Sequence, residues 1–149
     1  MFKVGDLAPD FEGESVNGVV KLSDFRGKKV ILYFYPKDMT SGCTTQACSF
    51  RDNYADIQEK DTVVIGVSKD PIKSHSKFIE KYGLPFVLVS DPELRIIEAY
   101  GVWKEKVMYG KKSMGVERTT FLIDEEGMIK KIYSKVKVAN HIEQVLADL

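Results

Sequence analysis

The clearest pattern along the chain is a set of short, continuous apolar runs that are rich in β-branched and aromatic residues. The runs are KVILYFY (29–35), TVVIGVS (62–68) and FVLVS (86–90). Runs this short predict strands that are covered on both faces, and the first is expected to lie centrally in a sheet. Because the segments between them have helical periodicity, they indicate βαβ units with a parallel core. The predicted fold class is therefore α/β.

Two hairpins are predicted outside this core. Asn17-Gly18 lies between FEGES and VVKL, and an Asn-Gly pair in this setting is a strong hairpin signal. Further along, VERTTFLID (116–124) and MIKKIYS (128–134) are joined by EEG and predict a second hairpin. We therefore expect an N-terminal β-hairpin and another one after the core strands.

The remaining segments are predicted to form two helices and a loop. ELRIIEAYG indicates a short helix, whereas KEKVMYGKKSMG has no clear period and is expected to be an irregular, lysine-bearing loop. VANHIEQVLADL indicates a closing helix with one apolar face. That face carries Val138, Ile142, Val145 and Leu149.

Composition and charge narrow the classes of function. The chain has 149 residues, 44% hydrophobic and 30% charged, which fits one globular domain over residues 1–149. Lys plus Arg and Asp plus Glu both number 22, so no overall charge favours nucleic acid as a partner. No run approaches the roughly 18 apolar residues of a membrane span, and the N-terminus lacks the apolar stretch of a signal peptide. We expect a cytoplasmic protein with neither a membrane nor nucleic acid as partner.

The two cysteines and two histidines limit the site chemistry. Two cysteines are too few for the disulfide framework of a small secreted domain, and the chain lacks the clustered ligands of a structural zinc site. We predict no metal and no cofactor. His75 and His141 neighbour apolar residues at helical spacing and are interpreted as structural. In a reducing compartment Cys43 and Cys48 are expected to be catalytic, redox-sensing or merely buried.

The segment after the first buried strand predicts a helix on which the two cysteines face different ways. Its inward stripe consists of Cys43, Ala47, Phe50, Tyr54 and Ile57. Cys48 lies about 140° around the helix from Cys43 and falls off this stripe. The two Cα atoms are about 7.5 Å apart along the axis, and disulfides seldom exceed about 6.8 Å between Cα atoms. A disulfide between Cys43 and Cys48 therefore requires the start of the helix to unwind.

The start of this helix also suits a reactive thiolate. Free backbone N–H groups and the positive end of the helix dipole stabilise negative charge at Cys43, and Gly42 allows close approach. Ionisation alone gives only a modest gain in rate, so hydrogen-bond donors aimed at the substrate are expected to supply the rest.

One short motif in this segment carries a family resemblance. In PKDMTSGC, Pro36, Thr40 and Cys43 match the Pro-x-x-x-Thr-x-x-Cys motif of the peroxiredoxins. With Cys48 in the context GCTTQACSFRD, the chain resembles the peroxiredoxin Q subfamily, also called bacterioferritin comigratory protein. The resemblance spans nearly the whole chain, from GDLAPDF and LSDFRGKKVILYFYPKD through GVS and SDP to GVERTTFLID.

This resemblance implies a fold, a reaction and a set of site residues. The fold is thioredoxin-like, with a central mixed sheet flanked by helices. The reaction is reduction of hydrogen peroxide and organic hydroperoxides by a thiol peroxidase. The resemblance also implies a monomer. Cys43 would be the peroxidatic cysteine and Cys48 the resolving one, and thioredoxin or a similar dithiol would reduce their disulfide. Thr40 would hydrogen-bond the thiolate and the peroxide, Pro36 would shield the site, and Arg118, in a predicted strand, would supply cationic donors.

Several alternatives stay open at this point. Many subfamily members have Pro where this chain has Ser41, which either eases unwinding of the first turn or acts as an N-cap. A reductant that attacks Cys43 directly would leave Cys48 a bystander. The same pair of cysteines could instead switch a redox-responsive binding or chaperone protein. A thiol–disulfide oxidoreductase is a further alternative, although the sequence has no Cys-x-x-Cys.

Overall fold

The computed structural model describes residues 2–149, which form nine strands and five α-helices. The strands are β1 (Glu12–Ser15), β2 (Gly18–Lys21), β3 (Lys29–Phe34), β4 (Thr62–Ser68), β5 (Val87–Ser90), β6 (Trp103–Met108), β7 (Lys111–Val116), β8 (Thr119–Ile123) and β9 (Ile129–Tyr133). The helices are α1 (Ser41–Asp52), α2 (Tyr54–Glu59), α3 (Ile72–Tyr82), α4 (Arg95–Ala99) and α5 (His141–Asp148), with 3₁₀ turns at Leu22–Phe25 and Val138–Asn140. None of these helices combines the length and the apolar character that crossing a membrane requires.

Seven of the strands form one mixed sheet in the order β2-β1-β5-β4-β3-β8-β9. β3 pairs in parallel with β4, and β4 pairs in parallel with β5. The outer strands join antiparallel, β1 against β5 on one side and β8 against β3 on the other. The predicted parallel core, the inner position of β3 and both predicted hairpins are therefore confirmed.

Strand β3 is buried on both faces because helices cover both sides of the sheet. Val30, Leu32 and Phe34 join one apolar cluster, which includes Ile96 and Ile97 of α4. Ile31, Tyr33 and Tyr35 join the other cluster, which includes Cys43 and Phe50 of α1, Phe78 of α3 and Val145 of α5. The continuous apolar run at 29–35 thus reflects two separate cores that share one strand.

The segment after α4 differs from the prediction. Instead of an irregular loop, it forms the β6–β7 hairpin, a separate two-stranded sheet. Met108 pairs with Lys111, which leaves Tyr109 and Gly110 as a turn with φ angles of 53° and 77°. Positive φ at both positions fits a type I′ turn, the usual two-residue hairpin connection. The prediction was wrong because most of these side chains are exposed on both faces, so the strands lack apolar alternation.

Two element boundaries near the cysteines also differ from the prediction. The inward stripe continues to Ile57, but the helix breaks at Asn53, whose Nδ2 donates to the Ser49 carbonyl at 2.9 Å. The predicted strand 116–124 is divided, and Arg118 lies in the connection between β7 and β8 rather than in a strand. The chain changes sheet there, because Val116 pairs with Trp103 of the hairpin and Thr119 pairs with Phe34 of the main sheet.

Candidate active site

Helix α1 follows directly after the loop of residues 35–40, and it carries Cys43 in its first turn. Thr40 is the N-cap, and the N–H of Thr44 makes the first helical hydrogen bond, to the Thr40 carbonyl at 2.9 Å. The N–H groups of residues 41–43 therefore have no partner within the helix. The first turn contains no acidic residue, and Thr40 makes no side-chain cap. This helix end consequently keeps its positive dipole and its free donors at Cys43, as the sequence predicts.

The thiol of Cys43 is buried and is hydrogen-bonded to an arginine. Cys43 is 2% exposed, and Nη2 of Arg118 donates to its Sγ at 3.3 Å. Nη1 of the same guanidinium donates to Oε1 of Gln46 at 2.5 Å, so two donors of one fork bind α1 one turn apart. The connection that carries Arg118 is held further by the N–H of Val136, which donates to the Arg118 carbonyl at 2.9 Å. A fixed cation therefore lies beside the most buried sulfur-containing residue among residues 2–149.

Gly42 makes room for this arginine. A Cβ built at Gly42 would lie 3.2 Å from Nη2 of Arg118, which is closer than side chains normally approach. Any side chain at this position would therefore require the guanidinium to shift by a few tenths of an ångström.

Thr40 and Pro36 lie in the loop that joins β3 to α1. The hydroxyl of Thr40 is exposed and donates to the Lys37 carbonyl at 2.8 Å. Among residues 2–149, the hydrogen bond of Cys43 Sγ goes to Arg118 and not to Thr40. Pro36 is half-buried and is the second residue after the end of β3. The Thr40 proton is therefore engaged by the backbone, and its oxygen is free to accept.

Cys48 lies in the same unbroken helix as Cys43 but on another face. Cys48 is half-buried, both cysteines are free, and α1 continues without a break from Ser41 to Asp52. Both cysteines therefore lie in one intact helix, so a disulfide between them requires the start of that helix to unwind. Ser41 is the first residue inside the helix, so the alternative that Ser41 acts as the N-cap is wrong.

Comparisons with known proteins show which family the chain belongs to. The AhpC/TSA family model matches residues 4–132. Peroxiredoxin Bcp of Bacillus subtilis is 52% identical over 148 residues, which cover 99% of this chain and 94% of that protein. Peroxiredoxin Bcp of Escherichia coli is 44% identical over 149 residues, which cover 97% of this chain and 93% of that protein. The chain belongs to the peroxiredoxins.

Solved structures narrow the assignment within the peroxiredoxins. Bacterioferritin comigratory protein of Xanthomonas campestris superposes with a TM-score of 0.87 at 40% identity, over 92% of this chain and 88% of that one. Peroxiredoxin Q of Xylella fastidiosa superposes with a TM-score of 0.93 at 36% identity, over 99% and 94% of the two chains. The predicted thioredoxin-like fold and the peroxiredoxin Q resemblance are confirmed. Peroxiredoxins are thiol peroxidases, so the chain belongs to a family of peroxide-reducing oxidoreductases.

Three buried polar atoms near the candidate site lack hydrogen-bond partners within residues 2–149. These atoms are the Tyr33 hydroxyl, Thr44 Oγ1 and Gln46 Nε2. Burial raises the pKa of Tyr33 well above its ordinary value, and the nearby Cys43 thiol and Asp38 carboxylate raise it further. The Tyr33 ring fits there because Gly66 lies beneath it, where a Cβ would come within 2.8 Å of Tyr33 Cζ. Tyr33 therefore remains an uncharged hydroxyl within the apolar wall behind Cys43.

Sequence reasoning missed two polar residues of this region. Gln46 is 1% exposed and binds Arg118, and Asp38, in the loop before α1, is 4% exposed. The signal for Gln46 was a polar residue three positions after Cys43, on the inward side of an amphipathic helix. The signal for Asp38 was a charged residue inside the motif, between Pro36 and Thr40.

Proposed function

We propose that this peroxiredoxin reduces hydrogen peroxide and organic hydroperoxides through a sulfenic acid on Cys43. The observation that carries the proposal is the hydrogen bond from Arg118 to the Cys43 sulfur, at a helix start whose N–H groups are unused. A guanidinium does not deprotonate, so it can stabilise both the thiolate and the charge that develops on the peroxide. The alkyl peroxide reduction activity described for the Xanthomonas campestris relative supports organic hydroperoxides as substrates.

In the first step the Cys43 thiolate attacks the terminal oxygen of the hydroperoxide. The S–O bond forms as the O–O bond breaks, and the leaving oxygen takes a proton and departs as water or an alcohol. Sulfur is oxidised and the peroxide is reduced. We assign the stabilisation of the departing negative charge to Arg118 and to the free N–H groups of Gly42 and Cys43. Thr40, whose proton is engaged by Lys37, would accept the hydrogen of the hydroperoxide, and Pro36 would limit access of water.

In the second step the Cys48 thiolate attacks the sulfenic sulfur and expels its oxygen as water, which gives a Cys43–Cys48 disulfide. This step needs the start of α1 to unwind, and the composition of α1 favours that. Its first five residues are Ser41, Gly42, Cys43, Thr44 and Thr45, and each of these types has modest or poor helix propensity. The Thr45 and Ser49 hydroxyls also donate to carbonyls four residues earlier, at 3.0 and 2.9 Å, which weakens helices slightly.

A dithiol protein closes the cycle. We propose thioredoxin, whose thiolate would attack the disulfide to form a mixed disulfide that its second thiol releases by exchange. The monomeric state, the cytoplasmic location and the lack of nucleic-acid and membrane partners stay predictions from the sequence.

The decisive experiment is steady-state peroxide consumption driven by thioredoxin, thioredoxin reductase and NADPH, with mass spectrometry of the oxidised protein. Cys43→Ser should abolish turnover, because no other thiol lies beside Arg118. Cys48→Ser should still undergo the first oxidation but lose thioredoxin-coupled cycling and the Cys43–Cys48 linkage. Full cycling by either variant would refute the role of that cysteine. A single stoichiometric oxidation of the wild type, without repeated turnover, would favour the redox-responsive binding protein instead.

A further inference from the structure

A second buried polar cluster lies beneath the loop that joins β3 to α1. Its centre is the carboxylate of Asp38, which is 4% exposed, and the imidazole of His75, which is fully buried in α3. Neither residue takes part in the chemistry proposed for Cys43. Two buried ionisable groups in direct contact need an explanation, because burying such groups is costly unless each has a partner.

The contacts of the two ring nitrogens of His75 define how this pair is hydrogen-bonded. Nδ1 of His75 lies 2.6 Å from Oδ2 of Asp38, and Nε2 lies 3.1 Å from the carbonyl oxygen of Val89 in β5. A carbonyl can only accept, so Nε2 carries a hydrogen. One further proton is then shared between Nδ1 and the carboxylate, and the pair is electrically neutral as a unit wherever that proton lies. His75 therefore links the loop to β5 without leaving an uncompensated charge.

The Asp38 carboxylate accepts two more hydrogen bonds. The Tyr35 hydroxyl donates to Oδ1 at 2.6 Å, and the Ser74 hydroxyl donates to Oδ2 at 2.8 Å. Burial, the neighbouring Tyr33 and Asp38 all raise the pKa of Tyr35, so Tyr35 stays protonated and remains a donor. The backbone of the loop is held as well, because the Asp38 N–H donates to Oδ2 of Asp70 at 2.9 Å. Asp38 is thus bonded to Tyr35 just after β3, to α3, and to Asp70 in the connection between β4 and α3.

The same atoms could be considered as ligands for a metal ion, but their geometry argues against it. Ligand atoms of Asp38, Asp70 and His75 lie within 4.8 Å of one another. However, the imidazole and the Asp38 carboxylate bond each other directly at 2.6 Å, and Oδ2 of Asp70 accepts from the Ser68 hydroxyl at 2.7 Å. These lone pairs are already used, so the cluster fits an anchor better than a cation site.

The loop above this anchor contains a strained residue. Met39, between Asp38 and Thr40, has a φ of 67°, in the left-handed region that side-chain-bearing residues seldom adopt. Met39 is 40% exposed, so its own side chain is not what holds this conformation. Strained backbone persists only where the surrounding structure fixes it, and here the fixed neighbour is Asp38.

We propose that Asp38 and His75 are positioning residues for the peroxidase reaction. They hold the 36–40 loop in the strained conformation that presents Thr40 and the start of α1 to the peroxide, and they stay in place while the first turn of α1 unwinds. The inference rests on the proposed function of Cys43. Without the anchor, Met39 relaxes and the reactive geometry is populated less often, which slows oxidation of Cys43. Disulfide formation, which needs an unwound turn, is not slowed.

The test compares the two rates in His75→Phe, by rapid-quench mass spectrometry of Cys43 oxidation and of the later disulfide. We expect oxidation to slow about tenfold or more while disulfide formation stays within about twofold of the wild type. His75→Asn returns an N–H donor to Asp38 and should restore much of the lost rate. The matched control is His141→Phe, which removes the other buried histidine and should change neither rate.

Two outcomes would overturn the proposal. One is a folded His75→Phe protein that is oxidised as fast as the wild type. The other is an equal slowing of both steps that His75→Asn does not restore, which would indicate a purely structural role. If His75→Phe fails to fold, the milder Asp38→Asn variant carries the same test.

A second readout separates this proposal from the proposed function. Amide hydrogen exchange of residues 39–44 in the reduced protein needs no peroxide and should be about tenfold faster in His75→Phe. A wild type that does not reduce peroxide would refute the proposed function, and the exchange rates would still test the anchor. Unchanged exchange in this segment would reject the anchor alone.

Discussion

Two buried polar networks border the first turn of α1. One binds the Cys43 sulfur, and the other binds the backbone of the preceding loop. The network of Arg118 and Gln46 reaches the sulfur itself, at 3.3 Å from Nη2 to Sγ. The network of Asp38 and His75 does not touch the sulfur and holds the backbone that leads to it. The turn between them carries Gly42 and Cys43 and lacks a side-chain cap. The contrast shows how a site can keep its donors fixed on both sides while the segment that unwinds in the proposed disulfide step stays weakly held.

The largest expected effect comes from removing the network that touches the sulfur. Arg118→Met deletes both donors of the fork, and we expect kcat/KM for hydrogen peroxide to fall about 100-fold to 1,000-fold. Arg118→Lys keeps the charge but cannot bind Cys43 and Gln46 together, so it should recover only part of the loss. Peroxide kinetics on both variants provide the measurement. A loss of less than about threefold in Arg118→Met would mean that this cation does not stabilise the reacting atoms.

A smaller effect is expected from crowding the same network. In Gly42→Ala the new Cβ would lie 3.2 Å from Nη2 of Arg118, so the guanidinium must shift, and kcat/KM should fall roughly tenfold. Gly115→Ala is the matched control, because its Cβ would also lie 3.2 Å from a side-chain atom, Cδ of Lys106 on the exposed hairpin. That flexible lysine can move away. Equal kinetics in the two variants would contradict a positional requirement at Arg118.

Stiffening the turn between the networks should change the second chemical step rather than the first. Ser41 is the first helical residue, and Thr40 has φ −75° and ψ 156°, which is compatible with a following proline. Ser41→Pro should therefore fold and favour the helical turn, which slows disulfide formation about threefold and leaves the first oxidation unchanged. More Cys43 should be lost to sulfinic acid at high peroxide, measured by mass spectrometry. Faster disulfide formation in Ser41→Pro would show that unwinding of this turn does not limit the step.

The smallest effect concerns His141, which lies outside both networks. Burial, aided by Arg118, lowers the pKa of His141 from 6.5 to about 4. Below pH 6.5 the unfolded chain gains a proton there that the folded chain does not, so stability is lost as the pH falls from 6.5 towards about 4. Urea unfolding at about pH 7 and about pH 5 should show a loss larger by about 1 kcal/mol in the wild type than in His141→Phe. Identical losses would mean that His141 is protonated in the folded state.

The sequence predicted those parts of the molecule in which local pattern and burial agree. The run at 29–35 is apolar throughout because both faces of β3 are covered, and the inward position of Cys43 follows from helical spacing alone. The β6–β7 hairpin was missed because its strands bury almost nothing, so no periodicity marks them. Asp38 and His75 are 37 positions apart, and no local pattern indicates that α3 brings them together. Arg118 entered through family resemblance, since an isolated arginine in an apolar segment does not reveal its partner.

The position of Arg118 at the change of sheet has a consequence for engineering. The β6–β7 hairpin ends at Val116, two residues before Arg118, and its turn residue Tyr109 is 97% exposed. Exposed loop tips tolerate inserted domains, so the Tyr109-Gly110 turn is a natural place to insert a circularly permuted fluorescent protein. Such a reporter would be joined to the active site by a single continuous strand. Its fluorescence would report whether oxidation of Cys43 shifts Arg118 and the hairpin that leads to it.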